Sequence, residues 1–225
     1  MSQALRLLFQ EARRAGRALF LPYVCVGYPS YAASLKTAEA ALKAGAAGLE
    51  LGVPFSDPIA DGPTLQMATQ CALDHGAHVA QVFRLIRDLR RRGFGQPLLV
   101  MTYLNPVEQM GWGTFARRIA RAGGDGAIVP DLPLERFADG GAALGAFGLS
   151  LIPFLAPTSS PDRVRKVEAL QAPFLYYVSL TGVTGARRSL APGLLAALRE
   201  LRKKLRTPVV VGFGISNARQ AAQVG

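Results

Sequence analysis

A chain of 225 residues and 23.9 kDa fits one domain, since α/β barrels of about 250 residues fold as single units. Half of the residues are hydrophobic, enough for a large core, yet no uncharged apolar run of about 18 residues predicts a membrane span. The net charge of +11 and pI near 10.4 invite a nucleic-acid reading. Against it, the basic residues recur at helical spacing (Arg84, Arg87 and Arg91; Arg199, Arg202 and Lys203) instead of gathering into one stripe, which fits solvated helix faces. The positive field suits a phosphorylated substrate instead.

Residues 1–17 are rich in Arg and Ala, with no long apolar stretch before a cleavage site. They predict an amphipathic helix near 2–15 and no signal peptide, so the expected location is cytoplasmic. Strand-like apolar runs follow at 19–26, 48–51, 98–102, 126–129, 149–155, 174–179 and 208–213. Helical runs lie between them at 30–44, 79–92, 113–122, 134–147, 161–170 and 193–205. This alternation predicts a parallel sheet. Pro161 and Pro192 mark helix starts, and Gly45, Gly93, Gly123 and Gly148 sit where helix C-caps belong. Cys25 falls in a strand and Cys71 in a helix, as reduced core thiols do. The expected fold class is α/β, a TIM (β/α)8 barrel forming a single domain over 1–225. Seven strands can be counted where closure needs eight. The chain is therefore expected to be truncated after strand seven and the start of a helix near Asn217, without the eighth strand and its helix.

The densest chemistry lies in the segment Gly48-Leu49-Glu50-Leu51-Gly52-Val53-Pro54-Phe55-Ser56-Asp57-Pro58-Ile59-Ala60-Asp61-Gly62-Pro63-Thr64. A strand places alternate residues on opposite faces, so Leu49 and Leu51 point toward the helices and Glu50 into the barrel mouth. An ionised carboxylate resists burial, and a chain that keeps one there has a use for a shifted pKa. Asp57 and Asp61 follow in the next loop, and two carboxyls in unlike environments can divide acid and base roles. Tyr103 and Asn105 end the third strand, and Asp131 follows the fourth in a Pro-Asp-Leu-Pro setting that suits a turn or helix cap.

Three absences narrow the reaction. The lysines, Lys36, Lys43, Lys166, Lys203 and Lys204, all fall on predicted helices, which disfavours a Schiff-base aldolase. The histidines are only His75 and His78, which disfavours a His-rich metal site. No Gly-x-Gly-x-x-Gly opens a helix after a strand, so no dinucleotide site is indicated. Cofactor-free acid–base chemistry remains. Gly212-Phe213-Gly214-Ile215-Ser216, which ends the seventh strand and leads into a helix, and Thr181-Gly182-Val183-Thr184-Gly185, after the sixth, offer backbone amides to an anion. Residues 180–191 have the composition of a lid.

The long segment above resembles the signature of the tryptophan synthase alpha chain family nearly letter for letter. So do Met101-Thr102-Tyr103-Leu104-Asn105-Pro106, Val129-Pro130-Asp131-Leu132-Pro133 and the two Gly-rich segments, in the same order. The resemblance implies a cytoplasmic (β/α)8 barrel that splits indole-3-glycerol phosphate into indole and glyceraldehyde 3-phosphate by retro-aldol cleavage, with no cofactor or metal of its own. It implies Glu50 as principal acid/base, Asp61 at the indole nitrogen and Thr184 positioning Asp61 when the lid closes. Gly185, Phe213 and Gly214 would bind phosphate, and Tyr23, Tyr103, Phe154 and Tyr176 would line the indole end. Asp57 would face the beta chain, a pyridoxal phosphate enzyme that receives indole in an alpha2beta2 complex. Leu180 departs from an Arg found in some members. Two other readings compete. One is a non-catalytic regulatory subunit of the beta chain. The other is another phosphosugar barrel such as an isomerase, for which strands one and five supply Cys25 but no carboxylate.

Overall fold

The computed structural model describes residues 1–178, 193–212 and 217–224. Helix α1 (Gln3–Arg14) precedes β1 (Tyr23–Cys25), α2 (Tyr31–Lys43), β2 (Leu49–Gly52), α3 (Pro63–Asp74), α4 (Val79–Arg91) and β3 (Leu98–Met101). Next come α5 (Leu104–Met110), α6 (Trp112–Ala122), β4 (Gly126–Ile128), a 3-10 turn (Leu134–Arg136), α7 (Phe137–Gly145), β5 (Ser150–Ile152) and β6 (Phe154–Leu155). The chain continues through α8 (Pro161–Ala169), β7 (Leu175–Val178), α9 (Leu194–Lys204), β8 (Val209–Gly212) and α10 (Ala218–Val224). Among the described residues no helix is long and apolar enough to cross a membrane.

Among the described residues every ladder is parallel, in the orders β1-β2-β3-β4-β5 and β6-β7-β8. The fifth predicted strand is thus divided at Pro153. Proline has no N–H to give to a ladder, but its carbonyl still accepts from Tyr176 N at 2.9 Å, which joins the two sets of strands into one wall. Pro22 likewise shortens the first strand to Tyr23–Cys25. Asn105, expected at the end of the third strand, instead lies within α5, exposed on its surface. The expected C-cap glycines do take positive φ, from +71° at Gly148 to +98° at Gly45.

Strand alternation separates two cores. Leu49, Leu51, Leu98 and Val100 face outward and pack with helix residues such as Leu35, Phe83, Ile86 and Phe115. Leu99, Met101, Ile128, Ile152 and Tyr176 face inward. The register Tyr23↔Glu50↔Leu99 puts Glu50 in that inner layer.

Helix α1 stops the N-terminal end of the barrel. Its Leu5 and Phe9 enter the inner core, and the Phe9 ring stacks on Phe174 at 4.8 Å. The helix is held by its own N-cap. Ser2 N donates to Ser150 Oγ at 2.9 Å, and Ser2 Oγ donates to Asp125 Oδ1 at 3.1 Å. The other Asp125 oxygen accepts from Leu98 N at 3.0 Å and from Arg90 Nη2 at 2.8 Å. Arg90 also donates to the carbonyls of Gly123, Phe94 and Gln96. One carboxylate therefore ties α1, α4, β3 and the start of β4 together. Charge-assisted hydrogen bonds contribute about 1.5–3 kcal/mol each, and removing one member of a shielded pair strands the other. Asp125→Ala should lower the unfolding free energy by about 2–4 kcal/mol in a urea titration. A change below about 0.5 kcal/mol would be no more than an ordinary surface substitution and would remove Asp125 from this role.

Candidate active site

Glu50 stands in the middle of β2, 3% exposed, between Tyr23 on β1 and Leu99 on β3. The hydroxyl of Tyr176, from β7 on the opposite wall, donates to Glu50 Oε2 at 3.4 Å, the outer limit of a hydrogen bond. Burial pushes the Glu50 carboxyl up to about 8, and the Tyr176 hydroxyl offsets only part of that rise. The carboxylic acid is therefore the prevailing form at neutral pH, as a proton donor requires.

Two glycines make this arrangement possible. A Cβ on Gly52 would lie 2.0 Å from the Tyr23 hydroxyl oxygen, and one on Gly212 would lie 1.8 Å from a ring carbon of Tyr176. In both cases a tyrosine leans over the next strand at the position two residues beyond its own partner, since Tyr23 pairs with Glu50 and Tyr176 with Val210. The glycines give the rings their place over the pocket, where any side chain would expel them. Phe154 extends the same aromatic wall, its ring 5.1 Å from that of Tyr176. Burial and the Glu50 charge, then Asp61, raise the Tyr176 hydroxyl well above its ordinary value. Tyr23 is raised by its enclosure and by Cys25, Asp61, Tyr103 and Glu50. Both tyrosines remain protonated donors, and both lie in the field of the two carboxyls.

Asp61 ends the loop after β2 and is 4% exposed. Its backbone is fixed on both sides: Asp61 N donates to Pro58 O at 3.0 Å, and Gln66 Nε2 donates to Asp61 O at 2.9 Å. In the side chain, Oδ1 has no hydrogen-bond partner among the described residues. Burial raises the Asp61 carboxyl, and the nearby Tyr103 hydroxyl opposes the rise. Pro63 and Gly62 start α3 directly behind it. Tyr103 is buried, packs its ring 5.5 Å from Phe55 and accepts a hydrogen bond from Ala60 N at 3.1 Å.

Glu50, Asp61, Tyr23, Tyr103, Phe154 and Tyr176 are thus brought to one end of the strands. Asp57 is exposed in the loop before Asp61. Thr184, Gly185, Phe213 and Gly214 lie outside the described residues, as do the proposed lid and Leu180. The residues that sequence reasoning missed are Phe55, which packs against Tyr103, and the glycines Gly52 and Gly212 as seats for tyrosine rings. For Gly212 the signal was present but read as part of an anion loop. Asp131, expected in a turn or cap, accepts from Leu104 N at 2.8 Å at the start of α5. Among the described residues no cluster of His, Cys, Asp and Glu could hold a metal ion, and both cysteines are free thiols.

Known proteins resemble this chain over nearly its whole length. The family described as tryptophan synthase alpha chain matches residues 9–225. The tryptophan synthase alpha chain of Roseiflexus castenholzii is 47% identical over 217 residues, which cover 96% of this chain and 83% of that one. That of Chloroflexus aurantiacus is 45% identical over 216 residues, 96% of this chain and 81% of its own. The crystal structure of tryptophan synthase subunit alpha from Legionella pneumophila superposes with a TM-score of 0.90 at 33% identity, over all of this chain and 82% of that one. The tryptophan synthase α2β2 complex of Pyrococcus furiosus gives 0.83 at 32% identity, over 92% of this chain and 82% of its counterpart. With a buried glutamate on the inner face of a parallel barrel and a family match from Phe9 to the last residue, this chain belongs to the tryptophan synthase alpha chain family.

Proposed function

We propose that this chain, as one barrel domain, cleaves indole-3-glycerol phosphate to indole and glyceraldehyde 3-phosphate, with Glu50 and Asp61 as its catalytic pair. The observation that carries the reading is a carboxyl buried in the inner layer of the barrel and protonated at neutral pH. Glu50 gives its proton to C3 of the indole ring, and Asp61 takes up the positive character that develops at the ring nitrogen. The Glu50 carboxylate so formed then accepts the proton of the side-chain hydroxyl. As that O–H becomes a carbonyl, the bond from C3 to the side chain breaks, and its electron pair returns to the ring. Glu50 ends protonated, as it began, and no proton, oxidant or cofactor is consumed. Tyr23, Tyr103, Phe154 and Tyr176 line the indole end, and the unpartnered Asp61 Oδ1 is the acceptor left for the ring N–H. The phosphate falls to Gly185, Phe213 and Gly214, with Thr184 acting on Asp61 when a ligand is bound.

The Pyrococcus furiosus relative is described as a mutually activating α2β2 complex. We infer the same partner here, a beta chain that carries pyridoxal phosphate and receives the indole, in the cytoplasm. The loop bearing Asp57 is the docking element. Ile59 within it is 75% exposed and Met67, just behind it on α3, is 54% exposed.

The direct assay is indole release from indole-3-glycerol phosphate by the full chain, with and without beta chain. No indole in either case would contradict the proposal, and beta-chain activation alone would identify a regulatory subunit. Glu50→Gln should lower kcat about 10²–10⁴-fold in a folded protein. Asp61→Asn should also lower kcat, whereas a rise confined to KM would make Asp61 a binding group. Asp57→Ala should diminish activation by the beta chain more than basal cleavage, and equal losses would place Asp57 outside the interface.

The same titration gives a stability prediction. The Glu50 carboxyl keeps its proton to about pH 8 in the folded chain, against an ordinary value of 4.5. Between these values the folded state holds a proton that the unfolded chain has released, so this group's contribution falls as pH rises from 4.5 toward 8. Glu50→Gln removes the titration and keeps an acceptor for Tyr176. The variant should be more stable than the parent by about 1–3 kcal/mol near pH 8.5, with a much smaller difference near pH 4.5. Urea titrations at both pH values measure this, and a difference that does not grow with pH would contradict the buried, protonated carboxyl.

A further inference from the structure

We propose that Asp131 is a positioning residue for the cleavage reaction, acting through Tyr103 on the loop that presents Asp61. The inference rests on the reading of Asp61 given above, and it assigns a reaction-linked role to a residue in a different loop.

Helix α5 begins at Leu104, and its N-cap residue, Tyr103, makes no side-chain capping bond. The first amides of a helix have no partner within it and are ordinarily met by a Ser, Thr, Asp or Asn at the N-cap. Here the acceptor comes from the loop after β4, where Asp131 Oδ1 takes the Leu104 N–H at 2.8 Å. Supplying the cap from a distance lets the N-cap position carry a tyrosine. That tyrosine is 5% exposed, and its hydroxyl accepts from Ala60 N at 3.1 Å. Ala60 immediately precedes Asp61. Two backbone bonds hold Asp61 itself, to Pro58 and from Gln66, and the Tyr103 contact ties the loop across to the strand-three side of the pocket. The path is therefore continuous: Asp131 to the Leu104 amide, the adjoining Tyr103 ring, the Ala60 amide and the Asp61 carboxyl. The α5 helix has 7 residues, so loss of its cap loosens the turn that carries Tyr103. A displacement near 1 Å at a reacting group can cost on the order of 10²-fold in rate.

Asp131 as a cap that serves folding alone predicts different kinetics, and a double-mutant cycle on kcat and KM for indole release separates the two. The full chain is assayed with beta chain, alongside its thermal unfolding midpoint. Asp131→Ala should lower kcat about 5–20-fold with KM within about twofold. Asp131→Asn, which keeps the Oδ1 acceptor, should restore kcat to within about twofold of the parent. Tyr103→Phe should lower kcat about tenfold, and Asp131→Ala added to it should cost less than about a further twofold, because both remove the same link. Multiplying losses would overturn the proposal, as would Asn behaving like Ala or an unchanged kcat in folded Asp131→Ala.

Leu104→Pro deletes the same hydrogen bond from its donor side. Proline is favoured at the first helical position, and Tyr103, at φ −93° and ψ 165°, already has the extended backbone that a following proline demands. Leu104→Pro should reproduce the loss of kcat. Should Asp131→Ala fail to fold, full turnover by folded Leu104→Pro would overturn the inference by itself. Normal turnover by Asp61→Asn would remove the reading of Asp61 and this inference together. An impaired Asp61→Asn beside an additive cycle would remove only the role of Asp131.

Discussion

The Glu50 carboxyl, confined to the inner layer of a parallel barrel, sets the conditions for the rest of the site. An ionised carboxylate in that layer would have almost no water and one long contact from Tyr176, so the proton stays on to about pH 8. A side chain that binds its proton at neutral pH yet can lose it to a basic carbon is suited to a reaction that donates a proton and then recovers one. Burial thus lowers the stability of the fold at neutral and alkaline pH, and in the proposed reaction the same burial supplies the acid. This is the conflict between stability and function expected where pKa values are tuned by desolvation.

The two ends of the strands divide the labour. At the N-terminal end, Asp125, Arg90 and Ser2 form a hydrogen-bonded node that fixes α1 against the strands, and Leu5, Phe9 and Phe174 fill the interior above it. That end is saturated with partners and carries no unpaired acceptor among these residues. At the C-terminal end the walls are aromatic, and Asp61 keeps an oxygen with no partner among the described residues. Barrels of this class generally place stability at one face and chemistry at the other. Here the division can be seen in where the carboxylates are satisfied. The Asp125 oxygens bond groups from three separate elements, Ser2, Arg90 and Leu98, whereas Glu50 and Asp61 are underprovided.

Much of this was legible in the sequence. Apolar strand-like runs alternating with helical ones located the strands, the parity of Leu49, Glu50 and Leu51 gave the inward glutamate, and glycines marked helix ends that do turn to positive φ. What escaped depends on contacts between distant residues. Pro153 divides a strand that its apolar neighbours would continue, and Leu104-Asn105-Pro106 forms a helix start capped by Asp131 from another loop. Asp125 meets Ser2, 123 residues away in sequence, and nothing local announces it. Gly52 and Gly212 look like loop glycines, and their function as seats for tyrosine rings is visible only when a Cβ is placed against those rings.

The central claim is that Glu50 enters the reaction as a buried carboxylic acid. Its most direct test is the protonation state itself. A difference infrared titration of the full chain against Glu50→Gln, following the carboxylic acid C=O band, reports this one group. A band belonging to Glu50 that persists through neutral pH and disappears with a midpoint near 8 is the predicted result. A group already ionised at pH 6, with its midpoint near the ordinary 4.5, would contradict the account.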